Sequence, residues 1–102
     1  MKKLEAYVQP FRVKKVKEAL AEEGFEEVHT LDVRDQSHRS YSERLRGTEY
    51  NLDLLPRTLV IAFIADEKVD QAVDLVQEAA HTSHGPSGKI VISNVDSVVP
   101  IG

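Results

Sequence analysis

Eight consecutive residues, Thr58-Leu59-Val60-Ile61-Ala62-Phe63-Ile64-Ala65, carry almost no polarity and set the first condition on any fold for this chain. The run is far too short to cross a bilayer, which takes about 20 apolar residues. Its β-branched and aromatic content suits a strand. Successive side chains of a strand point to opposite faces. An unbroken apolar run therefore places grease on both sides, and the strand must lie inside a sheet with each face covered.

The flanking sequence supplies partners for such a strand. Residues 3–9 alternate apolar and polar with a period of two and read as a first strand. Pro10 ends it and can open a helix, since its missing N–H is no loss in a first turn. Val13, Val16, Ala19 and Leu20 fall on one helical face, and Gly24 suits the stop. Residues 28–34 return to strand character. After the apolar run, Asp66 is expected as an N-cap, followed by Val69, Ala72, Val73, Val76 and Ala80 at helical spacing. Residues 89–92 form a last strand. The order is strand–helix–strand twice over, which predicts an α+β, ferredoxin-like βαββαβ fold with a four-stranded antiparallel sheet in a single domain spanning residues 1–102. Two helices cover only one face of that sheet. Other copies of the chain are the simplest cover for the second face, so an oligomer is expected.

Composition narrows the function. Asp and Glu number 17 against 13 Lys and Arg, a net charge of −4, which is the wrong sign for a general nucleic-acid binder. Arg39, Arg44 and Arg46 form a local basic cluster that fits a phosphate, an acidic partner or a solvated loop. With no cysteine, disulfides and thiolate metal sites are excluded. Glu5, Gln9 and Arg12 interrupt any leader-like core, no segment suits membrane insertion, and the expected location is the cytoplasm.

Two connections stand out. From Asp35 to about Asp53 the chain holds Ser, Arg, His, Gln, Glu and Tyr with little to bury, and connections of that length are usually functional or disordered. Tyr41 and Tyr50 lie in it. The turn Gly85-Pro86-Ser87-Gly88-Lys89 has the makings of an anion cradle: glycines for close backbone approach, a hydroxyl and a cation. It is no P-loop, because the spacing is short and no Ser or Thr follows the lysine. His81 and His84 are three apart and His38 lies in the long loop, but no carboxylate completes a metal site with them. Nothing nominates a nucleophile or a paired acid and base. An acylphosphatase-like enzyme would need a basic phosphate loop where Gln9-Pro10-Phe11-Arg12 begins a helix instead.

The residues resemble the PII nitrogen-regulatory family along the whole chain. Met1-Lys2-Lys3-Leu4-Glu5-Ala6, Pro10-Phe11 and Val16-Lys17-Glu18-Ala19-Leu20 look like its first strand and helix. Arg46-Gly47-Thr48-Glu49-Tyr50 and Asp53-Leu54-Leu55-Pro56-Arg57 resemble the end of its T-loop and the start of its third strand. Gly88-Lys89-Ile90 is similar to the end of its B-loop. The resemblance implies a signalling homotrimer and no enzyme. Residues 35–55 would be a T-loop-like segment and 81–88 a B-loop-like turn. ATP, ADP or AMP would bind between subunits as an effector, with no tightly bound cofactor. The implied nucleotide-site residues are Gln36, Arg57, Thr82, Gly85, Ser87, Gly88 and Lys89. Tyr50 falls on the tyrosine that is uridylylated in some members. The partner would be a transporter or an enzyme.

Departures mark a divergent member. Leu45 replaces a tyrosine, Arg57 a lysine that helps hold 2-oxoglutarate, and Pro100 an arginine that meets phosphates. A second such arginine would lie past Gly102. Gln36 aligns with the family's metal-contacting glutamine through a one-residue gap. Two alternatives stay open. One is a PII-like regulator of inorganic-carbon metabolism with bicarbonate as co-effector. The other is a CutA-like trimer binding metal through His81 and His84.

Overall fold

The computed structural model describes residues 1–35, 55–83, 85 and 87–102. Strand β1 (Lys2–Val8) runs into a 3-10 turn (Pro10–Arg12) with proline at its start, and this passes directly into helix α1 (Val13–Glu22). Strands β2 (Val28–Asp35) and β3 (Leu55–Ile64) follow. A second 3-10 turn (Asp66–Lys68) leads into helix α2 (Val69–Ala80), and strand β4 (Gly88–Asn94) completes the sheet. The strand order is β2-β3-β1-β4, with every neighbouring pair antiparallel. This is the expected ferredoxin-like arrangement, with the apolar run on a central strand.

One face of the sheet makes the core. Leu4, Ala6 and Val8 of β1 and Val60, Ala62 and Ile64 of β3 pack against Val16 and Leu20 of α1 and Ala72, Val76 and Ala80 of α2. Each fully buried Val, Leu or Ile contributes about 1.5–3 kcal/mol, so this layer supplies the main drive to fold. The alternate residues Tyr7, Leu59, Ile61 and Phe63 point the other way. There Leu31 pairs with Leu59, and Leu59 with Tyr7. No helix covers that face among the described residues.

Helix α1 ends in a Schellman motif. The Gly24 N–H donates to Ala21 O at 3.0 Å and the Phe25 N–H to Leu20 O at 2.9 Å, with Gly24 at φ 91°. Phe25 then folds back against the core.

Two expectations are corrected. Asp66 does not cap α2: the residue flanking the 3-10 turn is Ala65, with no side-chain cap. Instead the Asp66 carboxylate meets the Met1 amino group at 2.7 Å, a full opposite charge outbidding an amide dipole. Strand β4 also runs past residues 89–92 to Gly88–Asn94, because β1 offers a partner for each residue from Lys2 opposite Asn94 to Val8 opposite Gly88. Gln36, Tyr41, Tyr50, His38, the arginine cluster and His84 lie outside the described residues.

Candidate functional site at the entrance to strand four

Among the described residues, the Ser87 hydroxyl bridges the turn between α2 and β4. Ser87 Oγ accepts from the Thr82 N–H at 3.1 Å and donates to the Thr82 O at 3.1 Å. One side chain thus clips both backbone groups of a residue five positions earlier, and the Ser87 hydroxyl works inside the turn. Gly85 (φ 82°) and Gly88 (φ 135°) both take left-handed backbone angles. At Gly88 the requirement is also steric: an added Cβ would stand 1.8 Å from Tyr7 O. The turn can enter the sheet only through a residue without a side chain.

Beyond Gly88 the chain is held by the β1 ladder, and Tyr7 pairs directly with Lys89. The Lys89 ammonium sits 5.0 Å from the centroid of the Tyr7 ring, within the range of a cation–π contact. On the helix side of the sheet a groove of about 420 Å³ runs between α2 and the edge strand. Its apolar wall is Val73, Val76 and Ala80 of α2 with Ile90 and Ile92 of β4, Gln77, His81 and Ser87 add polar groups, and Tyr7 and Lys89, whose side chains leave the other face, border it from the strands. A cavity that is mostly apolar with a few polar groups suits a small ligand.

Arg57 lies elsewhere. It lines a second groove of about 460 Å³ with Pro10, Asp32, Val33, Arg34 and Pro56. Only 7% of it is exposed, and among the described residues its guanidinium is seen donating to Pro56 O, at 2.9 Å from Nη1. A guanidinium carries five N–H donors, and this one shares its groove with Asp32 and Arg34. Arg57 and Lys89 share the open face, two strands and one row apart, roughly 12 Å by strand geometry. The structure therefore brings Thr82, Gly85, Ser87, Gly88 and Lys89 together and keeps Arg57 apart. Tyr7 borders the groove too and is not among the site residues that the sequence nominated. Only the β1–β4 register, which the sequence does not state, reveals its pairing with Lys89.

Among the described residues no group of three or more His, Asp or Glu is placed to hold a metal, and no helix is long and apolar enough to cross a membrane.

Fold and site together define a ferredoxin-like α+β module with one sheet face that no helix covers among the described residues and a glycine-framed turn feeding its edge strand. The family model for Nitrogen regulatory protein P-II matches residues 1–101. Over 102 residues, covering 99% of this chain and 91% of each relative, the chain is 36% identical to the Nitrogen regulatory protein P-II of Rhizobium meliloti and of Azospirillum brasilense. It is 35% identical, with the same coverage, to that of Bradyrhizobium diazoefficiens. The chain belongs to the P-II nitrogen regulatory protein family.

Proposed function

We propose that this chain is a signal-transduction subunit that forms a homotrimer, binds an adenine nucleotide in the clefts between subunits, and reports the bound state to a target transporter or enzyme through residues 35–55. One observation carries the reading. The turn ending in Ser87-Gly88-Lys89 enters the sheet at an edge strand bordering the apolar face that no helix covers among the described residues, so a second copy meeting that face closes a cleft over Lys89 and the turn. Lys89 and backbone N–H groups of the turn then face the phosphates, while apolar side chains of that face take the base. A ligand that binds only one arrangement of the 35–55 segment shifts the population toward it, and the target senses that arrangement.

Calorimetry of the intact oligomer with ATP, ADP and AMP tests this. Saturable heat with at least one nucleotide is expected, and silence with all three overturns the reading. Arg57 supports a small anionic co-effector. Its identity is read by titrating 2-oxoglutarate and bicarbonate into the nucleotide-loaded protein: a response to the first marks nitrogen signalling, to the second inorganic-carbon signalling.

A further inference from the structure

Tyr7 is held by two contacts that converge on the entrance to β4. Its backbone carbonyl abuts Gly88 so closely that no Cβ fits between them. Its ring carries the Lys89 ammonium at 5.0 Å. Residues 7 and 89 are direct cross-strand partners, so both side chains leave the sheet on the same face with their Cβ atoms about 5 Å apart. From β1 and β4 the same two residues border the groove on the helix side of the sheet. Glu5 is the carboxylate of β1 on this face, and it is engaged by Lys3 at 3.7 Å; among the described residues, the ring is the feature seen against the Lys89 ammonium.

A lysine on an exposed edge strand has a four-carbon stem and many rotamers, and a ligand that needs its charge must first restrict it. A ring face beneath the ammonium reduces that restriction before the ligand arrives. It attracts the cation without forming the hydrogen bonds that a phosphate would have to break. We infer that Tyr7 is a positioning residue: its ring holds the Lys89 ammonium on the sheet face opposite the helices, at the entrance to β4, ready for the phosphate chain of a nucleotide. This rests on the reading of Lys89 as a phosphate anchor.

The test is a double-mutant cycle on the full-length chain, with calorimetric binding of ATP and of inorganic tripolyphosphate, which lacks a base. Tyr7→Leu should weaken both probes by about two- to fivefold, and Tyr7→Phe, which keeps the ring, should recover that loss. In a Lys89→Gln background Tyr7→Leu should add nothing. If Lys89→Gln weakens binding but Tyr7→Leu costs the same in both backgrounds, or costs nothing, the positioning role is overturned while the phosphate anchor stands. If Lys89→Gln leaves both probes unaffected, the anchor fails and takes this inference with it. A second measurement needs no stable variant. In the unliganded wild-type protein the ε-methylene protons of Lys89 should resonate upfield through the ring current of Tyr7, and unshifted resonances overturn the proposal.

Discussion

Gly88 and Tyr7 share a space that admits no extra atom. At Gly88 both the left-handed φ of 135° and the 1.8 Å approach of a built Cβ to Tyr7 O exclude a side chain. Because the obstacle is backbone in a central strand, no rotamer change relieves it. Gly88→Ala should lower apparent stability by about 2–3 kcal/mol, measured by urea unfolding at fixed protein concentration, since association contributes to any such value. A drop of only a few tenths would mean that β4 can shift its start. Asp66 poses a question of charge. Its carboxyl is held below its usual value of 3.8, first by the hydrogen bond from the Met1 amino group and then by that group's charge, with burial opposing and Lys2 assisting. A carboxylate with a lowered folded pKa stabilises above its unfolded value and loses that contribution as pH falls through the folded one. Asp66→Asn should therefore be slightly less stable than wild type near neutrality. The gap should close progressively as pH drops below about 4, the ordinary range of an aspartate. Both residues are exposed, so the difference is small, and a gap that persists into strong acid would refute the pairing.

Both helices are entered through a 3-10 turn, and they show what the sequence makes legible. Apolar spacing placed the buried stripes of α1 and α2, because Val16, Leu20, Ala72 and Val76 recur at helical intervals and all end up in the core. Gly24 marked the end of α1, since a left-handed C-terminal residue is most easily a glycine. Asp66 misled for an equally physical reason: a capping preference is local, whereas its actual partner, Met1, lies 65 positions away at the start of the chain. Site residues divide in the same way. The Ser87-Gly88-Lys89 turn was readable as a string of residue types, but the role of the Ser87 hydroxyl and the pairing of Lys89 with Tyr7 depend on register, which composition does not encode. A further long-range contact joins the helices: Arg12 Nε donates to Ala79 O at 3.0 Å. Ala79 lies in the last turn of α2, where carbonyls lack intrahelical donors, so a cation there satisfies both a hydrogen bond and the helix dipole. Arg12→Ala should destabilise by about 1 kcal/mol. Amide exchange should accelerate in the last turn of α2 and at His81, whose N–H bonds Gln77 O. Unchanged exchange there would show that the contact does not hold the helix end.

In the proposed assembly, the sheet face that no helix covers among the described residues is where copies of the chain meet. Leu31, Phe63 and Val91 are 49%, 38% and 41% exposed, and they share that face with Leu59, Ile61 and Tyr7 through the strand register. Val98, Val99 and Ile101, beyond β4, are exposed as well. A lone large apolar residue on a surface means little, but a contiguous set on one side of a sheet marks an interface. The Lys3–Glu5 pair on the same face gives that interface polar groups and so a preferred register. In the proposed assembly, association through this face closes a cleft over Tyr7 and Lys89, so assembly and ligand binding should fail together. Phe63→Glu puts a charge where a neighbouring copy would bury an aromatic ring, yet Phe63 is exposed enough in the single chain for the fold to survive. Sedimentation should show wild type as a trimer and Phe63→Glu as a smaller species with an intact circular dichroism spectrum. Its nucleotide affinity should fall at least tenfold, or about 1.4 kcal/mol. A Phe63→Glu protein that remains trimeric would place the interface on another surface, and one that is monomeric yet binds ATP as wild type does would show that nucleotide binding needs no second subunit.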